Sequence, residues 1–406
     1  MPSLRVLILL IGLSSAVCDG APPAAEPASA DKKAPNAAPK VKRTKAAIST
    51  PLFIQQAAGL NTLANVTLTA TATPTKPDAP GVVAFVPPLG PPGKAVLDSV
   101  SKYLVSLHHG WPAGHRIEIA FSVPIAPDDT AAAGLATATV LDSLFGGWES
   151  DPACSVVGHL QADGKVVSAS AALSRLLTAM RAGASRILMP EKNVAEAAAD
   201  CMVNEGPGAF GRVQMFAVKD FEEMPMMAGT KLEPLVAESV AAFTETQSAL
   251  AAAGTDAVTL LKNTETQESL RTVLEKWPNH VSARLLLGYS IGRYKTFSVA
   301  GSVQVIDRTA ETLFAGVNSG RSHEVRNLPL DRIEANLAAI RLAVERLDPK
   351  SRPLANHLIA YGEAAKTWLS QPPRTQKDAT ALAATLSAEA AQAQDERRKL
   401  ARSLVK

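Results

Sequence analysis

The stretch Ala126-Pro127-Asp128-Asp129-Thr130-Ala131-Ala132-Ala133-Gly134 decides how this chain is read. Just before it, Ile117, Ile119, Phe121 and Val123 alternate with Glu118, Ala120 and Ser122, a period of two that gives a strand one apolar face. From Thr130 onward, Leu135, Leu141 and Leu144 recur along a predicted helix over 130–145 that Gly146-Gly147 stops. Strand, acidic turn and Ala-rich helix follow one another without a gap.

The alternation continues on both sides. Thr-rich 66–71 and apolar 82–86 read as strands, with Pro77 and Pro80 breaking the chain between them. Residues 94–109 place Val96, Leu97, Val100, Leu104 and Leu107 on one helical face, ended by Gly110-Trp111-Pro112. Downstream, 156–160, 171–180, 186–189, 193–202 and 213–218 run strand, helix, strand, helix, strand. The expectation is a mixed α/β (α+β) domain over 47–228.

Beyond Pro225 the strand signal fades. Residues 235–251, 264–276, 280–294, 331–347, 353–369 and 376–404 read as helices, so 229–406 is expected to be an all-α domain. Residues 269–289 are similar to one tetratricopeptide-style helix pair, but no second copy follows at the expected period, and the reading is an irregular bundle. The last helix ends in Arg397, Arg398, Lys399 and Arg402, the charge sign that a helix C-terminus favours.

Three pieces carry a family resemblance. They are the acidic turn, Gly164-Lys165-Val166-Val167, and Arg181-Ala182-Gly183-Ala184-Ser185-Arg186-Ile187-Leu188-Met189-Pro190-Glu191-Lys192-Asn193. In order and spacing they resemble the proteolytic domain of Lon-type serine peptidases, over roughly residues 50–225. That family carries its nucleophile in a Pro-Lys-Asp-Gly-Pro-Ser-Ala-Gly motif and activates it with a lysine, because a serine hydroxyl is a weak nucleophile until a base takes its proton. Laid on this chain, the serine falls on Ala132 and the lysine on Leu173. The resemblance therefore implies the fold with a degenerate dyad and assigns no catalytic residue.

Neighbouring residues are weighed as substitutes. Ser174 and Arg175 lie about 100° and about 200° further round a helix and are expected to point elsewhere, and a guanidinium stays protonated. Ser168 and Ser170 stand where the family has Pro and Gly and are the fallback nucleophiles. Thr130 is expected to cap the helix, and Asp128 and Asp129 to be solvated turn residues. His159 falls where the family has a glutamate near its active site and is read as an exposed strand residue. Loss of the dyad leaves the cleft, expected to involve Asp128, Asp129, Thr130, Ala132 and His159, with an extended peptide or protein segment as the expected ligand.

Composition excludes several classes. The net charge of +3 argues for no nucleic-acid partner. Gly90-Pro91-Pro92-Gly93-Lys94-Ala95 has the wrong spacing for a phosphate loop and no hydroxyl for magnesium, so neither ATP nor any other cofactor is expected. Adjacent His108 and His109 diverge on a helix, and no metal site is expected. Homo-oligomers occur in the family as rings, but no interface motif here supports one.

The N-terminus reads as an export signal over 1–20, with Arg5, an apolar segment over 6–13 and a small-residue exit at Ser14-Ser15-Ala16-Val17-Cys18. A periplasmic or extracellular location is expected, and a lipoprotein anchored through Cys18 is the lesser reading. Residues 21–46 form a Pro/Ala/Lys linker, including the basic run Lys40-Val41-Lys42-Arg43-Thr44-Lys45, read as solvated. Cys154 and Cys201 have two open readings, a disulfide or two buried thiols. The expected function is an exported, non-catalytic binding or assembly protein. The alternatives are a serine endopeptidase with a relocated nucleophile, and a helical adaptor acting through 230–406.

Overall fold

The computed structural model describes residues 40–55, 61–319 and 322–405. The export signal, Cys18 and the linker as far as residue 39 lie outside the described residues.

A mixed sheet organises the first half. Its strands are β1 (Lys45–Gln55), β2 (Asn61–Pro74), β3 (Val82–Phe85), β4 (His115–Phe121), β5 (Cys154–Val156), β8 (Arg186–Pro190) and β9 (Gln214–Val218), in the spatial order β3-β4-β2-β1-β5-β8-β9. β2 runs antiparallel to both β1 and β4, and every other pair is parallel. β6 (His159–Leu160) and β7 (Val166–Val167) form a separate antiparallel ribbon. The chain leaves β5 through Gly158 at φ 137°, which is why the single strand expected over 156–160 is two.

The sequence pattern does not show β1, because Pro51 sits inside it and proline demotes a run to an edge. The structure resolves the conflict. β1 pairs with β5 only at Ser49↔Ser155, so past that point its second edge is free of the sheet and the missing N–H costs no ladder bond.

Alternation on the strands splits the core by face. Ile187, Met189, Met215 and Ala217 join one cluster, while Leu188, Phe216 and Val218 join the other. The second face is covered by α1 (Gly90–Leu107), α2 (Gly134–Gly146) and α6 (Met224–Ala228). The first is covered by α3 (Ala172–Arg181) and by α5 (Ala199–Glu205), which continues α4 (Glu191–Asn193) through a π-type widening at Val194–Ala198. The same cluster contains Phe243, Leu270 and Leu286, so α7 (Pro234–Ala253), α8 (Ala257–Leu261), α9 (Thr264–Lys276) and α10 (Val281–Ser290) pack on the sheet side as well. Ser282 Oγ accepts from the Met215 amide at 2.9 Å, and Asn279 O from Ala217 at 3.0 Å, which closes the outer edge of β9.

A separate core gathers Val203 of α5 with residues from Phe297 onward. It is made by α11 (Val299–Thr309), α12 (Glu311–Ser319), α13 (Leu330–Val344), α14 (Arg352–Ser370) and α15 (Gln376–Val405). Helices α11 and α12 are absent from the sequence expectation. The helix expected over 280–294 stops at Ser290, before left-handed Gly292 at φ 84° and Tyr294 at φ 59°.

The backbone of the basic run at 40–45 is docked, while Lys40, Lys42 and Lys45 are exposed, as expected of a solvated run. The amides of Lys42 and Arg43 donate to Leu144 O at 2.9 and 3.2 Å, Arg43 pairs with Glu149 at 3.1 Å, and Val41 packs on the core. The reason lies in α2, whose last carbonyls have no partner inside the helix and take donors from this segment.

Candidate functional site

The acidic turn folds as a 3₁₀ segment, Pro127–Ala133, and α2 starts only at Gly134. Thr130 is therefore inside a turn and is no N-cap. It is fully buried, and its hydroxyl donates to Pro127 O at 2.8 Å instead of accepting from a helix amide. Asp128 is exposed, as a turn residue should be. Asp129 departs from its expectation. It is buried, its Oδ2 accepts from the Phe53 amide at 2.8 Å and from Arg175 Nη1 at 2.9 Å, and its Oδ1 accepts from Arg175 Nη2.

Arg175 likewise does not point away. Long helical side chains lean toward the helix N-terminus, and α3 begins at a left-handed Ala171 with φ 53°. From there the guanidinium reaches back, donating from Nε to Ser170 O at 2.8 Å and from Nη1 to Pro51 O at 2.7 Å. Its carbon lies 5.3 Å over the Phe53 ring. The carbonyl of the strand proline, left free by the sheet, thus becomes an arginine acceptor.

Ala132 and Leu173, the positions that the resemblance lays on the dyad, are 4% and 5% exposed and belong to one core cluster. His159 is half-buried on β6 rather than exposed. It hydrogen-bonds the Ala131 backbone and feels the charges of Arg175 and Asp129. Burial, the largest influence, lowers its pKa below the ordinary imidazole value.

Beside this cluster opens a cleft of ≈ 260 Å³, lined by 168–173 with Lys192, Asn193 and Ala197. Its opposite wall comes from the helical half, through Ala300 and Gln304 of α11 and Leu404 of α15. Asp200 at the rim fixes that wall. Its carboxylate accepts from the Ser298 amide and hydroxyl, each at 2.6 Å, where α11 begins. A Cβ on Gly301 would stand 2.0 Å from Asp200 Oδ2, so only glycine lets helix and carboxylate approach this closely.

The loop along the cleft is held at both sides. Buried Asn193 accepts from the Ala169 amide at 3.2 Å and donates to its carbonyl at 3.5 Å, while Arg175 holds Ser170 O. Ser170 is exposed and Ser168 half-buried. Ser168 Oγ and, across the cleft, Gln304 Oε1 are buried atoms without a hydrogen-bond partner. Such groups are uncommon in folded proteins and mark a place where a partner can be gained.

The structure therefore brings together Asp129, Arg175 and His159, and beside them Ser168, Ser170 and Leu173. Asp128 stays outside in solvent. Sequence reasoning missed Arg175 as a site residue, together with Asn193, Asp200 and Gln304. For Arg175 a signal was present: it stands among Leu173, Leu176 and Leu177 on a short helix, with an acidic pair in the turn upstream. Cys154 and Cys201 are free thiols buried in different clusters. Among the described residues no three His, Cys, Asp or Glu side chains gather as a metal site, and no helix is long and apolar enough to cross a membrane.

No curated protein matches this chain. Residues 107–202, from the end of α1 to α5, match the family of the Lon protease (S16) C-terminal proteolytic domain, and they include Asp129, Ala132, His159, Leu173, Arg175 and Asn193. The α/β half of this chain thus contains a region, residues 107–202, that is similar to the Lon-type proteolytic domain, and a helix-rich C-terminal region follows it.

Proposed function

We propose that this chain is an exported, non-catalytic binding protein whose Lon-type fold holds an extended peptide or protein segment in the cleft between 168–173 and Gln304. The dyad positions support the loss of hydrolysis. A methyl group at 132 cannot attack a carbonyl, and an isobutyl group at 173 cannot accept a proton. The export half of the proposal rests on the signal-like N-terminus.

One observation carries the binding half. The segment 168–171 is a turn clamped by Asn193 and Arg175 beside an open cleft. It ends in a left-handed alanine, a costly conformation that the surroundings must hold in place. A cleft wall that is already held in place binds a ligand without a further ordering cost. Ser168 Oγ and Gln304 Oε1 supply two polar groups that a ligand would satisfy.

The test uses a fluorescent, unstructured casein-type peptide with the purified protein. Intact peptide with raised anisotropy is the expected result, weakened about tenfold or more by Gln304→Trp, which fills the cleft. Binding that ignores this variant would remove the cleft from the proposal. A second reading, a serine endopeptidase with a relocated nucleophile, is favoured by the presence of Ser168 and Lys192 in the same cleft. Cleavage abolished by both Ser168→Ala and Lys192→Ala would establish it and end the non-catalytic reading.

A further inference from the structure

A different cleft, of ≈ 370 Å³, opens where α10 gives way to α11, and it shares no lining residue with the one at Ser168. The loop after Ser290 passes through left-handed Gly292 and Tyr294. That conformation is unfavourable for a tyrosine and persists only where the surroundings impose it. Here it lays the ring on α10: a Cβ on Gly288 would stand 2.5 Å from Tyr294 Cε2. Tyr289 and Tyr294 thereby line the cleft together.

The charged lining has one sign. Arg293 and Lys295 come from the loop and Arg346 from just beyond α13, and no carboxylate lines the cleft. Arg346 is aimed by two contacts, a hydrogen bond to Val203 O at 3.2 Å and the Phe297 ring 5.8 Å away. Arg293 and Lys295 have no ion-pair partner among the described residues. Three cations held together without a counter-charge repel one another, and a bound anion relieves that repulsion.

We propose that this cleft binds a small molecule in which a phosphate or sulfate monoester is attached to an aromatic body. Guanidinium and ammonium groups suit a tetrahedral oxyanion. The two tyrosine rings suit a flat apolar partner. A space of this size takes a small molecule rather than a protein domain.

The test is titration calorimetry of the full chain with phenyl phosphate, phenyl sulfate, inorganic phosphate and phenol. At least one ester binds about tenfold tighter than either inorganic phosphate or phenol. Arg293→Ala with Lys295→Ala lowers ester affinity about tenfold or more at an unchanged melting temperature, since both side chains are exposed. Tyr294→Gly, which fits the left-handed backbone, weakens ester binding and leaves inorganic phosphate unaffected. A phosphate-ester preference that fades near pH 5 marks the dianion as the favoured form. No heat from either ester at about 10 mM, or undiminished binding in the Arg293/Lys295 variant, overturns the site. Equal affinity for esters and inorganic phosphate overturns the aromatic half.

Discussion

Arg175 and Asp129 form a buried, two-pronged ion pair that ties α3 to the turn before α2, with the guanidinium fully inaccessible. Removing two charges from water is expensive, and here the cost is offset by further hydrogen bonds. Pro51 O and Ser170 O take two more guanidinium donors, and the Phe53 amide serves the carboxylate. The pair fixes the backbone around the positions that the family resemblance assigns to catalysis.

Breaking the pair from one side should be costly. Asp129→Ala leaves a buried guanidinium without its counter-ion, and an unfolding free energy lower by about 3–5 kcal/mol is expected in urea titrations. Replacing both partners, Asp129→Leu with Arg175→Met, should recover part of that loss, because it removes both buried charges and leaves only the Phe53 amide and the Pro51 and Ser170 carbonyls to find new partners. A single variant within about 1 kcal/mol of the native chain would show the pair to be idle.

Restoring the dyad letters should not restore an enzyme. Leu173 is buried in a core cluster beside Leu176 and Leu177, so Leu173→Lys inserts an ammonium into apolar packing. A loss of at least the about 2–5 kcal/mol typical of Leu→Ala is expected, since an unpaired charge adds to the lost packing. Ala132→Ser should cost less. Thermal melts of the single variants, with casein hydrolysis by the double variant, check this. A stable, active double variant would refute this expectation.

His280 should make stability pH-dependent. It is fully buried, packed near Phe216 and Phe243, and burial lowers its pKa from 6.5 to about 3. Its Nδ1 accepts from the Ala283 amide at 3.2 Å, and its Nε2 lies 3.1 Å from Gln214 Oε1, an arrangement for the neutral ring. The unfolded chain takes up the proton first, so this contribution is complete above about pH 6.5 and declines as pH falls toward about 3. Urea midpoints from pH 7 to pH 4 should show the decline, and His280→Asn should flatten it. The same slope in the variant would assign the effect elsewhere.

Cys154 and Cys201 should resist alkylation in the folded chain. Burial raises both thiol pKa values, that of Cys154 to about 12, and no thiolate is presented at neutral pH. Peptide mapping after iodoacetamide at pH 8 should find both unmodified, and both labelled in urea without a reductant. A disulfide-linked peptide from the non-reduced chain would contradict the structure.

Much of the architecture was legible in local pattern. The alternation over 117–123 is β4, the leucines after Gly134 mark α2, and the helical signal beyond Pro225 marks a helix-rich half. The Lon-type likeness was legible too, from short pieces in a fixed order, and the match over 107–202 agrees with it. Helices α11 and α12 escaped. Their buried residues, among them Val305, Ile306 and Leu313, are distributed along two short helices separated by Ala310, too briefly for a periodic signal to build.

What the sequence determined by itself is therefore what depends on neighbours along the chain: periodicity, breakers, and the identity of residues 132 and 173. What only the tertiary structure decided is where the polar groups go. Asp129 and Arg175 are 46 positions apart, and Pro51 O lies 124 positions from the arginine it receives. An exposed turn and a buried ion pair call for the same letters in a linear reading. The difference arises when the sheet brings β1 beneath α3, removes water from both charges, and leaves each the other as its partner.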